Sequence, residues 1–402
     1  MKMAEPLRQD FLSERVRQIG SSGIRRAFDL ANKSGIEDLI SLGLGEPDFD
    51  TPPFVKEAAK RAIDEGFNRY TTNAGVPELR EAIARKLQRE NDVTYDPETE
   101  ILVTVGGINA IHLAIMATIN PGDEVLLPDP FFVAFEPCVI MSGGRAIRVP
   151  LLEENGFRLR AADLESAITP ATRLVIVNTP HNPTGAVLSR EDLMAIADVA
   201  NRHNLLVLSD EVYERLVYAP ACHISMASLP DMRERTVCIH SFSKAWCMCG
   251  WRIGFASAPA PIIEQMVKLQ QFNSVHAPSY AQRAALAALN GPQDFLIEMR
   301  TEFDRRRRFM VDRVNAIDGM SCVEPHGTFY VFVNVKALGL SSAEAARILL
   351  THGRVVTVPG SALGHCGEGF LRISYTVPMA RLEVAMDRIE ATVRRIRNGE
   401  VL

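Results

Sequence analysis

Lys244 is the residue whose type and place could do covalent chemistry. It follows the apolar run TVCIHS (236–241) in Ser241-Phe242-Ser243-Lys244, and Arg252 comes eight residues later in Trp251-Arg252-Ile253-Gly254. Lysine is almost never buried without a partner. One that is partly desolvated beside cations loses affinity for its proton and becomes an amine nucleophile. A second run, LLVLSD (205–210), ends in Ser209-Asp210-Glu211-Val212-Tyr213. Its carboxylate lies near apolar walls, which is costly unless it faces a cation or a protonated group. Tyr213 reaches the same side if a helical turn begins there. A third run, RLVIVN (173–178), leads into Asn178-Thr-Pro-His-Asn182-Pro183-Thr184-Gly185, which reads equally as a turn or as a means of projecting the Asn182 amide. After ILVTV (101–105), Gly106-Gly107 opens a helix at Ile108. That is either a plain strand-to-helix turn or a seat for phosphate, since glycine permits close approach and helix-start amides attract anions. Taken together, the pieces are a phosphate cradle (Gly107, Ile108, Ser241, Arg252), an amine nucleophile (Lys244), an acid to face a ring cation (Asp210), and phenol and amide donors (Tyr213, Asn182). A phosphorylated aromatic aldehyde needs that set.

The elements that must position these residues are strands alternating with helices. EVLLP (124–128) and IGFASA (253–258) join the four runs above, with helix-period segments between several of them, such as REDLMAIADVANRHN (190–204). Near-continuous apolar strands of this kind predict an α/β fold with a mostly parallel sheet and helices on both faces. In such sheets ligands gather beyond the carboxyl ends of the strands. Past about residue 290 the character changes. A long charged helix (FLIEMRTEFDRRRRFMVDRVNAI) precedes the strands GTFYVFVNV and GFLRISYT, predicting a smaller α+β domain. The expected division is a large domain over 45–290 and a small domain from 1–44 and 291–402. The first forty or so residues read as helical and polar, packing with the small domain or another subunit. The arginine run 305–308 lies among Glu302 and Asp304, and is expected to be a solvated face.

The 402 residues carry 44 basic and 49 acidic side chains, a net charge of −5, so nothing calls for a nucleic-acid partner. With 47% hydrophobic and 23% charged residues the chain is not of the disordered class. Its seven cysteines form no CxxC pair, predicting reduced, mostly buried thiols and a cytoplasmic protein. The opening MKMAEPLRQDFLSERVR has no apolar stretch of the signal-peptide kind. Residues 101–122 lack charge, but Gly106-Gly107 leaves only about 12 helical residues where a bilayer needs about 20, so no membrane span is expected. There is no GxxxxGK[ST], no GxGxxG after a strand, and no HExxH or paired CxxC metal signature. A P-loop enzyme, an ordinary dinucleotide-binding dehydrogenase and a zinc centre are thereby disfavoured.

The sequence resembles the fold type I, pyridoxal-phosphate-dependent aminotransferases of class I/II, in the group of aspartate and aromatic amino acid aminotransferases. The segments that carry the resemblance run from Ser22-Gly-Ile-Arg-Arg through LGLGEPDFDTP, YTTNAGVPELREAIA, HNPTGAV, SDEVYE, SFSKAWCMCGWRIGF and PGSALG to GFLRISY. The resemblance implies that Lys244 forms the Schiff base with pyridoxal 5'-phosphate and later moves the substrate proton. Asp210 then holds the ring nitrogen protonated, and Tyr213 and Asn182 hydrogen-bond the ring hydroxyl. Arg252 and Ser241 hold the phosphate with the amides of Gly107 and Ile108, while Phe132 stacks on the ring. Arg372 takes the substrate α-carboxylate, with Gly43 and Asn182 beside it. Tyr70 reaches the phosphate of a neighbouring subunit, which implies a homodimer.

In prokaryotic-type aspartate aminotransferases of this group a lysine often follows the paired glycines; here Ile108 stands in its place. The pocket candidates Ile24, Phe131, Phe132 and Phe135 are apolar. Expected substrates are therefore aromatic or large neutral L-amino acids with a 2-oxo acid such as 2-oxoglutarate, in ping-pong order. The alternatives are an aspartate aminotransferase of the same group or a carbon–sulfur β-lyase.

Overall fold

The computed structural model describes residues 11–20, 23 and 35–401. After a short strand β1 (Ile40–Ser41), seven strands build the main sheet: β2 (Ile101–Thr104), β3 (Glu124–Asp129), β4 (Arg145–Pro150), β5 (Thr172–Asn178), β6 (Leu206–Asp210), β7 (Thr236–Ser241) and β8 (Gly254–Ser257). Their spatial order is β2-β8-β7-β6-β5-β3-β4. Only β8 runs antiparallel to its neighbours. All six expected strands are present, each within one residue of its expected ends. β4 was not expected. Its sequence, RAIRVP, lies at the sheet edge and is mostly half-exposed, so it lacks the continuous apolar run of a central strand.

Alternate residues of the central strands enter two separate cores. Leu126, Val175, Val177 and Val207 pack on one face with Leu193, Ile196 and Ala197 of the helix Arg190–Arg202. Val125, Leu127, Leu174, Ile176 and Leu208 pack on the other with Ile111 and Ile115 of the helix Gly107–Thr118. The two-residue period of a strand and the covering helices on both faces explain this arrangement. No helix among the described residues is long and apolar enough to cross a membrane.

The C-terminal part adds β9 (Ser321–Cys322), β10 (Tyr330–Asn334), β11 (Val355–Val356), β12 (Val358–Pro359) and β13 (Phe370–Ser374). Four of them form an antiparallel sheet in the order β12-β13-β10-β9, while β11 pairs with β1. The Ser374 amide donates to the Leu42 carbonyl at 2.7 Å, which draws the 40–45 segment alongside β13.

The charged helix spans Asp294–Ala316, and here the structure corrects the expectation of a solvated arginine face. Arg305 and Arg308 are exposed, but Arg306 and Arg307 are buried. Arg306 bridges Asp48 and Glu302 at 2.8 Å each and lies 5.5 Å from the rings of Phe49 and Phe303. Arg307 pairs with Asp304 and Glu324 and lies 5.2 Å from the Tyr218 ring. Asp48 and Glu324, from outside the helix, join Glu302 and Asp304 of the same helix in supplying the counter-charges that burial requires. The cysteines are all free as expected, yet only Cys138 and Cys238 are buried; four others are half-buried and Cys222 is exposed.

Candidate active site

A cavity of about 250 Å³ opens at the carboxyl ends of β5, β6 and β7, where β13 and the 40–45 segment meet the main sheet. The structure brings Gly107, Ile108, Phe132, Asn182, Asp210, Tyr213, Ser241, Lys244, Arg252 and Arg372 to its walls.

Lys244 sits on the short helix Phe242–Ala245 directly after β7. Its Nζ donates to the Gly45 carbonyl at 2.6 Å and lies 5.9 Å from the rings of Tyr213 and Phe329. The amine is thus aimed into the cavity by a backbone carbonyl and apolar rings. Ser241, the last residue of β7, accepts from the Ser243 amide at 3.1 Å and starts that helix.

Asp210 ends β6 and is 2% exposed. Its carboxylate accepts one backbone hydrogen bond, from the Val212 amide at 3.2 Å, and forms no ion pair among the described residues. Burial pushes its pKa up to about 7, with that amide opposing the rise and the neighbouring Glu211 charge adding to it. Glu211 points to the opposite side of the strand. There it accepts from Ser209 Oγ at 2.8 Å and Ser225 Oγ at 2.9 Å, and meets His223 at 3.0 Å. Beyond it Glu214 pairs with Lys86 and approaches His240 Nδ1 at 3.4 Å, so a buried ionic network holds β6 and β7 from behind. Tyr213 reaches the cavity from a turn rather than the first turn of a helix. Its hydroxyl lies 3.0 Å from that of Tyr330, and burial foremost holds its proton well above the ordinary phenol range.

Arg372 on β13 is 2% exposed. One Nη donates to Asn182 Oδ1 at 3.0 Å and the other to the Gly43 carbonyl at 2.9 Å. Its guanidinium lies 4.4 Å from the Tyr330 ring centroid, and its buried Nε has no partner among the described residues. Asn182 is held in turn by its backbone N–H, which donates to Asn178 Oδ1 at 3.0 Å.

Gly106 and Gly107 place the start of the helix Gly107–Thr118 beside Arg252. Gly106 has φ +79, and a Cβ there would come within 2.4 Å of an Arg252 Nη. Gly254 completes the fit, since a Cβ on it would strike the Gly107 amide nitrogen at 3.0 Å. Glycine at 106 and 254 lets this loop, strand and guanidinium converge, whereas a Cβ on Gly107 would make only ordinary contacts.

Two expectations for the pocket wall, Phe131 and Phe135, are corrected. Phe131 is buried with the Arg148 guanidinium 5.5 Å from its ring, and Phe135 lies in the core edge-on to Phe132, so of the three phenylalanines only Phe132 lines the cavity. Gly43 reaches the site through its carbonyl. Tyr70 is 85% exposed, packs edge-on to His276 and does not line its own chain's cavity. Ile24 lies outside the described residues. Gly45 and Tyr330, to which the sequence reading assigned no role, both line the cavity.

These residues fit pyridoxal phosphate. A buried carboxyl that forms no ion pair among the described residues suits a protonated pyridine nitrogen, the Gly106–Gly107–Arg252 cradle suits a phosphate, and Lys244 supplies an amine on the same cavity wall. The fold and the site together define a pyridoxal-phosphate-dependent enzyme of the transferase type. Residues 37–389 match the family model for aminotransferase class I and II, and the chain belongs to that family. It is 46% identical over 385 residues to aromatic-amino-acid aminotransferase 2 of Thermococcus litoralis, covering 95% of this chain and 98% of that one. The aspartate aminotransferase of Pyrococcus abyssi is also 46% identical, with the same shares covered. The solved aromatic aminotransferase from Pyrococcus horikoshii superposes with a TM-score of 0.88 at 44% identity, over 94% of this chain and all (100%) of that one.

Proposed function

We propose that the enzyme moves the amino group of an aromatic or large neutral L-amino acid to a 2-oxo acid such as 2-oxoglutarate in a ping-pong cycle. The observation that carries this reading is the makeup of the cavity. Among the described residues its cations are Lys244, Arg252 and Arg372, each with a task, and the remaining wall includes Ile108, Ile111, Phe132, Val212, Tyr213 and Tyr330. Ile108 is 48% exposed at the mouth and offers no charge to a second carboxylate. An apolar wall with one carboxylate clamp suits a side chain without charge.

When bound, pyridoxal phosphate supplies an aldehyde that takes up the amino group and a ring that accommodates the electron pair left on the α-carbon. Arg252, Ser241 and the amides of Gly107 and Ile108 would hold its phosphate, with Phe132 against the ring. Asp210 would face the ring nitrogen and keep it protonated, an electrostatic contribution that is preorganised because the carboxylate is already buried. Tyr213 and Asn182 would donate to the ring hydroxyl. Arg372 binds the substrate α-carboxylate as a charge-assisted pair, with the Gly43 carbonyl and Asn182 fixing its fork. Lys244 Nζ would hold the cofactor at its aldehyde, and the same amine would serve as the base that takes the proton from the substrate α-carbon.

The assembly that goes with this reading is a cytoplasmic homodimer with Tyr70 contributed to the neighbouring site. Exposure of Tyr70 and seven free cysteines support it. The division into a large domain over 45–290 and a small one from 1–44 and 291–402 belongs to the same proposal. The identity shared with a relative named aspartate aminotransferase favours the acidic donor as a second reading.

The test is the absorbance of the cofactor-loaded protein mixed with one donor and no oxo acid. L-phenylalanine should convert the aldehyde form to the amine form faster than L-aspartate. Faster conversion by aspartate would transfer the assignment to the second reading, and pyruvate with ammonia from cysteine would point to a β-lyase. Lys244→Ala should bind the cofactor without covalent attachment and convert nothing.

A further inference from the structure

Tyr330 stands where three parts of the site meet. On β10 it pairs with Ser374 of β13, which makes it the diagonal same-face neighbour of Arg372 two residues away. Its ring lies 4.4 Å from the Arg372 guanidinium, and its hydroxyl lies 3.0 Å from that of Tyr213. The hydroxyl also abuts Gly45, where a Cβ would come within 2.1 Å of it, and the Gly45 carbonyl holds Lys244 Nζ. Tyr330 is 1% exposed, so neither ring nor hydroxyl is there to meet solvent.

We infer that Tyr330 is a positioning residue with two separable tasks, resting on the assignment of Tyr213 and Arg372 made above. The ring supports the guanidinium that clamps the substrate carboxylate, in a desolvated cation–π contact. The hydroxyl donates to the Tyr213 oxygen, which directs the Tyr213 proton away from Tyr330 and towards the ring hydroxyl of the cofactor. A phenol that accepts one hydrogen bond is polarised to donate a better one. A donor to the ring oxygen favours its deprotonated form, so its weakening raises the pH at which the bound cofactor changes absorbance.

Two variants separate the tasks. Tyr330→Phe keeps the ring and removes the hydroxyl. The pH midpoint of the cofactor absorbance should rise by roughly half a unit to one unit, the worth of about one net hydrogen bond. Affinity for 3-phenylpropionate, a carboxylate without an amine, should stay within about twofold. Tyr330→Leu also removes the ring and should weaken that affinity roughly tenfold. An unmoved midpoint in Tyr330→Phe overturns the hydroxyl's role, and unchanged phenylpropionate binding in Tyr330→Leu overturns the ring's. Should Tyr330→Leu not fold, Tyr330→Met, which fills similar space without a ring, takes its place in the phenylpropionate titration. A wild-type protein with no pH-dependent cofactor band would instead overturn the site assignment itself, a result distinct from either failure.

Discussion

Asp210 without its ring cation is a buried carboxyl whose titration must show in the stability of the cofactor-free protein. Its pKa stands at about 7 in the folded chain against an ordinary 3.8. Between those values the unfolded chain has released the proton and the folded chain still holds it. Stability therefore falls as pH rises, by about 1.4 kcal/mol for each pH unit, and levels off above pH 7. From pH 5 to pH 8 the loss is about two units' worth, or about 3 kcal/mol. Asp210→Asn keeps the shape and cannot ionise, so groups that titrate alike in both proteins cancel in the comparison. For 402 residues the unfolding entropy near the midpoint is roughly 0.8 kcal/mol/K, which converts that loss into about 3 °C. The assay is the melting temperature of both cofactor-free proteins, scanned at one rate at pH 5 and pH 8. The variant should gain about 3 °C on the wild type between the two. Adding pyridoxal phosphate at pH 8 should reverse the order, because the ligand stabilises the state that binds it and only the wild type offers it a counter-charge. An equal difference at both pH values would mean that Asp210 is not an uncompensated buried acid, and the reasoning that assigns it to the ring nitrogen would lose its physical basis.

Gly106→Ala places a Cβ against Arg252 at a residue with φ +79, so pyridoxal phosphate affinity should fall at least tenfold in a fluorescence titration, whereas Gly250→Ala, whose Cβ meets nothing within 4 Å, should leave it unchanged. An unaltered affinity in Gly106→Ala would remove the cradle from the phosphate site. Arg307→Ala strips Asp304 of a buried partner and should cost about 2–3 kcal/mol, or about 3 °C in melting temperature. Arg308→Ala, at an exposed pair on the same helix, should stay within about 0.5 kcal/mol; equal losses would restore the solvated-face reading.

What the sequence made legible and what it hid follow one physical division. Lys244, Asp210, Asn182 and the Gly106-Gly107 turn were readable because each lies at or within a few residues of the end of an apolar strand, and a parallel sheet collects the ends of its strands in one crevice. β4 was hidden because an edge strand needs only half of an apolar pattern. Phe131 and Phe135 were grouped with Phe132 as pocket candidates, although side-chain direction, which spacing alone does not settle in the loop at Phe131 or at the first residue of the helix Phe135–Met141, sends them into the core. Arg306 and Arg307 were misread because their partners come from Asp48, Glu324 and Tyr218, contacts made only when the chain has closed on itself. Tyr330 belongs with these. Its strand was recognised, but its tasks come from a register that sets it diagonal to Arg372 and from a turn that brings Tyr213 to its hydroxyl. Residues that do chemistry were legible one at a time, since their types are costly to bury without a purpose. Residues that position them are ordinary aromatic and charged side chains whose meaning is set by cross-strand neighbours. The groups holding Tyr213 and Arg372 in place are therefore where the structure adds most to the sequence, and where substitutions should divide affinity from the cofactor's titration.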